Sequence, residues 1–240
     1  MAMPLISGQG IFIQGRIFFA LCIAIALFMS GMVTTVYIVN DTTLGYVALI
    51  LLEFLVGMAM GYVVLLVFNL IFFTGQLMDF SIGLMMVNAI DPMTQVQVPL
   101  TGNIFFMGLM ALLVVTGGFH ALFLTFFESY YILPIGTAHV VGNASLAWYI
   151  VYLLVESTIL AVRISLPIVG AMTLVTIALG IMVKTIPQLN VFVVGLPLRL
   201  LVGIFMLLLV MIPNLMPIFT SIFNMAHLAM REVIWGMRPI

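Results

Sequence analysis

Five long apolar runs, at residues 17–39, 46–73, 104–133, 146–183 and 191–222, leave this chain one kind of fold. A helix needs roughly 20 apolar residues to cross the hydrocarbon core of a bilayer, and each run meets that length. Inside hydrocarbon every backbone amide must bond within its own segment, so such runs are helices. Only 5% of the 240 residues are charged and 65% are hydrophobic, against about 25% charged in soluble domains. A soluble surface cannot be kept wet with so few charges. The sequence therefore predicts an all-α integral membrane protein. Its net charge of -1 gives no reason to expect nucleic acid. Cys22 stands alone, which excludes an internal disulfide and a thiolate metal cluster. The first residues lack a basic stretch ahead of an apolar one and do not read as a cleaved signal peptide.

Residues 17–39 follow Arg16 and end at Asn40-Asp41, a polar turn. The run 46–73 carries Glu53, Gly57 and Gly61 at spacings of four, which places them on one helix face. Small residues so spaced let a second backbone come close. A carboxylate at membrane depth costs on the order of 2.5–3.5 kcal/mol unless it finds a partner. Glu53 is thus read as making an interhelical hydrogen bond, with direct transport chemistry as the alternative. Residues 104–133 are broken by Gly117-Gly118, a helix-bending pair. His120 in this run has no second ligand at helical spacing and reads as an interface histidine.

Residues 74–101 are different. They hold Asp79, Asp91, Pro92, Pro99 and four methionines (Met78, Met85, Met86 and Met93) but no Lys or Arg. The stretch is too polar for a span and too apolar for a solvated loop. Irregular backbone at membrane depth survives only inside protein or beside an aqueous cavity. Both a pore-lining segment and a packed loop satisfy that condition. The run 146–183 is too long for one span and is interrupted at Pro167, which fits a hairpin or a long kinked helix. Glu156 and Arg163 within it are too far apart along a helix to pair directly, so each is expected to meet another helix or subunit. The tail at about 224–240 is amphipathic and suits a membrane interface or a partner. Positive-inside counting gives no consistent topology, because Lys184 and the pair Arg231 and Arg238 vote against each other.

The block at 184–203 reads KTIPQLNVFVVGLPLRLLVG. Its two prolines, amides and Arg199 are too dense for an ordinary lipid-facing span. No nucleophile set, phosphate loop or metal spacing occurs in the chain, so no enzyme and no cofactor is predicted.

The same block carries a resemblance. Pro187, Gln188, Asn190, Phe192, Gly195, Pro197 and Arg199, with Gly203 behind them, resemble the PQxNxFxxGxPL(K/R)xxxG signature of the FliR/SctT family of type III secretion export-gate proteins. Glu53, Gly57 and Gly61 are similar to that family's E/QxxxGxxxG helix. Leu133-Pro134-Ile135-Gly136 matches its LPIG turn, and Ala178-Leu179-Gly180 its LaLG stretch. Thr74-Gly75, Gly83 and Asp91-Pro92 keep its order too. The match runs from Pro4 onward and leans to the flagellar branch. Pro4-Leu5-Ile6-Ser7 looks like the stretch behind a first hydrophobic helix in the family, so the resemblance implies that this helix is missing.

The resemblance implies one membrane-embedded domain over 1–240, built of long kinked hairpins that pack into a helical ring with FliP-like and FliQ-like subunits. An FlhB-like subunit would wrap its mouth, and unfolded export substrates would thread the pore. The location implied is the bacterial inner membrane at the flagellar basal body, in contact with lipid. A plug-like segment would fall at about 82–98, with Met85, Met86, Asn88, Ala89, Asp91 and Pro92 as its gasket. Glu53, Gly57, Gly61, Glu156, Arg163 and Arg199 would pack against neighbouring subunits. A virulence-type export subunit and a stand-alone secondary transporter are the alternatives. The latter needs an internal repeat of broken helices, and the sequence has no convincing one.

Overall fold

A computed structural model describes residues 12–29, 31, 43–85, 99–140, 143–186 and 191–238. Among them the chain is helical, with no strand. The helices are α1 (Ile13–Met29), α2 (Thr43–Ile82), α3 (Leu100–Val115), α4 (Gly118–Ile132), α5 (Ala144–Thr185), α6 (Val191–Met206) and α7 (Ile212–Gly236). A π-helical turn at Leu207–Met211 joins α6 to α7. Three helical stretches are long and apolar enough to cross a membrane: Thr43–Ile82, Ala144–Thr185 and Val193–Gly236. The bent pair α3 and α4 makes a fourth if counted as one span.

The chain gathers into two compact units. One holds the described parts of Met1–Phe68, Leu112–Val155 and Ile222–Ile240; the other holds Asn69–Ala111 and Glu156–Ser221. In the first, Val63 and Val67 of α2, Leu122 of α4, and Val233 and Ile234 of α7 are among the buried core. In the second, Met78, Ile82, Ile168, Met172 and Met211 form the core cluster.

Several boundaries differ from the sequence reading. Helix α2 does not stop near Phe73 but runs on through Ile82, absorbing the first third of the polar stretch. The polar residues there are satisfied inside the helix: the hydroxyls of Thr74 and Ser81 donate to Leu70 O and Leu77 O, both at 2.8 Å. For the run 146–183 the structure takes the long helix of the two alternatives: α5 is continuous over 42 residues with Pro167 inside it. The span read at 17–39 is helical as α1, and residue 30 and residues 32–42 lie outside the described set. The bend at Gly117-Gly118 is present, with Gly117 at φ 70°, a left-handed value that glycine adopts freely.

The amphipathic tail is the last part of α7, and it is docked. Ala226, Ala229, Met230, Val233 and Ile234 are buried, while Arg231, Glu232 and Trp235 remain exposed. At the other end of the block 184–203, the Arg199 guanidinium donates to the Thr176 hydroxyl at 3.1 Å. Thr176 lies nine residues before the end of α5 and Arg199 eight after the start of α6. Such closely similar offsets from the connection mean that α6 runs back antiparallel along α5.

Candidate functional site

Of the six gasket residues, the structure describes Met85, which is half-buried. Met86, Asn88, Ala89, Asp91 and Pro92 lie outside the described residues. The described part is the stem on which that segment stands. Helix α2 ends where Gly83 turns to φ 93°, and the chain re-enters helix after the buried Pro99.

Three contacts fix this stem. Asp79, only 2% exposed, accepts the backbone N–H of Thr101 at 3.2 Å and also the Thr101 hydroxyl. Bonds to an ionised acceptor are roughly twice as strong as neutral ones. Between apolar helices in lipid the hydrophobic effect gives no net attraction, so polar bonds and close packing hold them. The second contact is glycine on glycine. A side chain at Gly75 would collide with the backbone N and Cα of Gly102. A side chain at Gly102 would come within 3.1 Å of Phe72 Cα. Backbone cannot swing aside as a side chain can, so Gly75 requires glycine, and Gly102 tolerates a side chain only if its neighbours give way. Third, a Cβ at Gly203 would lie 2.6 Å from Ile82 Cγ2. The last glycine of the sequence signature is therefore seated on the buried final residue of α2.

The subunit-packing candidates are divided between the two units, Glu53, Gly57 and Gly61 in the first and Glu156, Arg163 and Arg199 in the second. Glu53 Oε1 accepts the backbone N–H of Gly136 at 2.9 Å, so its partner sits in its own chain. Gly57 is exposed, with nothing within 4 Å of a Cβ built there. Gly61 and Glu156 are half-buried and Arg163 is exposed. Arg163 borders a cavity of about 250 Å³ with Pro167, Asn214 and Ser221. The amide of Asn214 donates to Val210 O at 2.7 Å and the hydroxyl of Ser221 to Pro217 O at 2.8 Å. Of the signature, Pro187, Gln188 and Asn190 lie outside the described residues; Phe192 falls in the first turn of α6, Gly195 is buried and Pro197 is exposed.

Two organising residues escape the sequence reading. Asp79 stands in the sequence as a bare charge, although a carboxylate without a nearby cation, four residues after Gly75, asks for a partner across a close helix contact. Asn143 reads as part of a polar connection. Its Oδ1 accepts the N–H of Leu146 at 3.2 Å, capping α5, while its amide donates to Gly236 O at 2.7 Å and so closes the end of α7. An Asn directly before a long helical run is the capping signal that could have found it.

Known sequences match most of the chain. The profile of the family described as Bacterial export proteins, family 1, matches residues 1–226. The flagellar biosynthetic protein FliR of Bacillus subtilis (strain 168) is 30% identical over 190 residues, 79% of this chain and 73% of that protein. FliR of Aquifex aeolicus (strain VF5) is 30% identical over 198 residues, 80% of this chain and 71% of its own. The secretion system apparatus protein SsaT of Salmonella typhimurium is 26% identical over 162 residues, 65% of this chain and 60% of that protein.

Proposed function

Because the chain belongs to family 1 of the bacterial export proteins, we infer that it is a core subunit of the flagellar type III export gate. It forms part of the channel through which unfolded flagellar proteins cross the inner membrane. The flagellar reading is favoured over the virulence one because the FliR relatives are more similar, over more of the chain, than the secretion apparatus protein SsaT.

Helix length carries the further reading that the chain works inside an assembly. Helix α5 has 42 residues and a contour of roughly 63 Å at about 1.5 Å per residue. A span uses at most about 25 residues. Yet only 17% of the most apolar stretch of α5 is buried within the chain. Lipid covers one span's length of that helix at most, and the rest of its exposed apolar surface must be kept from water. Apolar helices of FliP-like and FliQ-like subunits cover it, with an FlhB-like subunit at the mouth. Arg163, exposed beside its cavity, and Gly57, with open space around it among the described residues, then meet those neighbours. The segment at 82–98, standing on the Asp79–Thr101 stem, is the pore plug at the flagellar basal body. Met side chains are unbranched and soft, which suits a seal that deforms around a passing polypeptide. No step of this work is catalytic.

Deletion of the gene tests the reading. Flagellar building blocks should then accumulate in the cytoplasm and vanish from the medium, and return on complementation. Unchanged flagellar export, or loss of virulence effectors alone, overturns it.

A further inference from the structure

The two tryptophans of the chain, Trp148 and Trp235, lie at one end of the first unit. Asn143 brings them there, because it ties the last turn of α7 to the first turn of α5. The backbone N–H of His139 donates to Met237 O at 2.9 Å, binding the connection after α4 to the same end. Tyr131 stands in the last turn of α4, eight residues before His139. All three rings are bare: Trp148 is 74% exposed, Trp235 48% and Tyr131 81%. Arg231 and Arg238 are exposed beside them, two of the six Lys and Arg of the chain. The Arg238 guanidinium stacks on the Trp235 ring at 3.8 Å from its centroid.

Apolar rings with a polar edge are out of place both in bulk water and in the bilayer centre, and collect at headgroup depth. A guanidinium presents a planar fork of donors that fits a phosphodiester on two oxygens. Glu232 is exposed on the same turn, so net charge does not drive the attraction; the fit of fork to phosphate does. We propose that this end of the first unit sits in the phospholipid headgroup layer, with Trp148, Trp235 and Tyr131 at the boundary and Arg231 and Arg238 on lipid phosphates. The remaining parts of α4, α5 and α7 then run inward from a fixed depth. This placement is independent of the export role.

Because the chain has only two tryptophans, emission excited at the red edge, where its seven tyrosines do not absorb, reports on this patch alone. The full chain is reconstituted into phosphatidylcholine vesicles carrying bromine either near the headgroup or near the chain end. Loss of emission should be greater with the shallow label. Trp148→Phe and Trp235→Phe should each keep that preference in the tryptophan that remains. Inorganic phosphate added to unlabelled vesicles should leave the emission unchanged, because the phosphate read is that of the lipid. Stronger quenching by the deep label overturns the placement. Absence of quenching by either label overturns it too, and means that protein covers the patch. Arg238→Gln should shift the quenching of Trp235 toward the deep label, and an unchanged pattern removes the arginine from the anchor.

Discussion

The carboxylate of Glu53 and the backbone N–H of Gly136 are 2.9 Å apart, so one hydrogen bond joins α2 to the turn that follows α4. Gly136 has φ 83°, and a Cβ there would approach Leu49 Cδ1 to 3.0 Å. Glu53→Leu should lose about 1 kcal/mol, the worth of an ordinary hydrogen bond. Glu53→Gln should recover most of it, since the amide oxygen still accepts. Thermal unfolding of the detergent-solubilised chain measures both. Gly136→Ala should cost about 1–2 kcal/mol for left-handed backbone.

Asp79 and Thr101 should behave as one element. Thr101→Val keeps the backbone donor but removes the hydroxyl, and should destabilise by about 1.5–3 kcal/mol, as for a bond to a charged group. Asp79→Ala in the Thr101→Val background should then cost less than it does alone. The coupling in a double-mutant cycle measures the bond directly. Strict additivity would mean that the two do not interact.

Glycines on the same helix should part company. Gly75→Ala places a methyl against the Gly102 backbone and should cost about 1–3 kcal/mol, as overpacking does. Gly57→Ala meets open space among the described residues and should not lower the stability of the chain. If the Gly57 face receives a partner helix, the same change should reduce recovery of the complex on affinity purification.

The gasket role predicts leakage. Replacing Met85 and Met86 with Gly in the assembled gate should raise the permeability of the membrane to ions while the complex still forms. Tight membrane with normal assembly would take the seal away from these methionines.

Much of this architecture is legible in the residues. The apolar runs give the helices and Gly117-Gly118 gives the bend. The partners that polar residues find far along the chain are not legible. Asp79 looks like a reason to end a helix at Phe73, because a lone carboxylate is costly in an apolar segment. Thr101, 22 residues on, removes that cost, and the helix continues to Ile82. Pro167 likewise suggests a turn, yet it lies within the continuous α5. Its neighbour Ile168 and Met172 one turn on are buried in the core cluster of the second unit. Gly203 is visible as a signature residue, but its seat against Ile82 depends on the fold.

The bare faces of α2 and α5 are what an assembly must cover, and stoichiometry tests that most directly. Co-expressed with FliP-like and FliQ-like subunits and extracted in mild detergent, the chain should appear by native mass spectrometry as one copy within a ring of those subunits. A chain that stays monomeric and well folded beside its unassociated partners would contradict the export-gate reading.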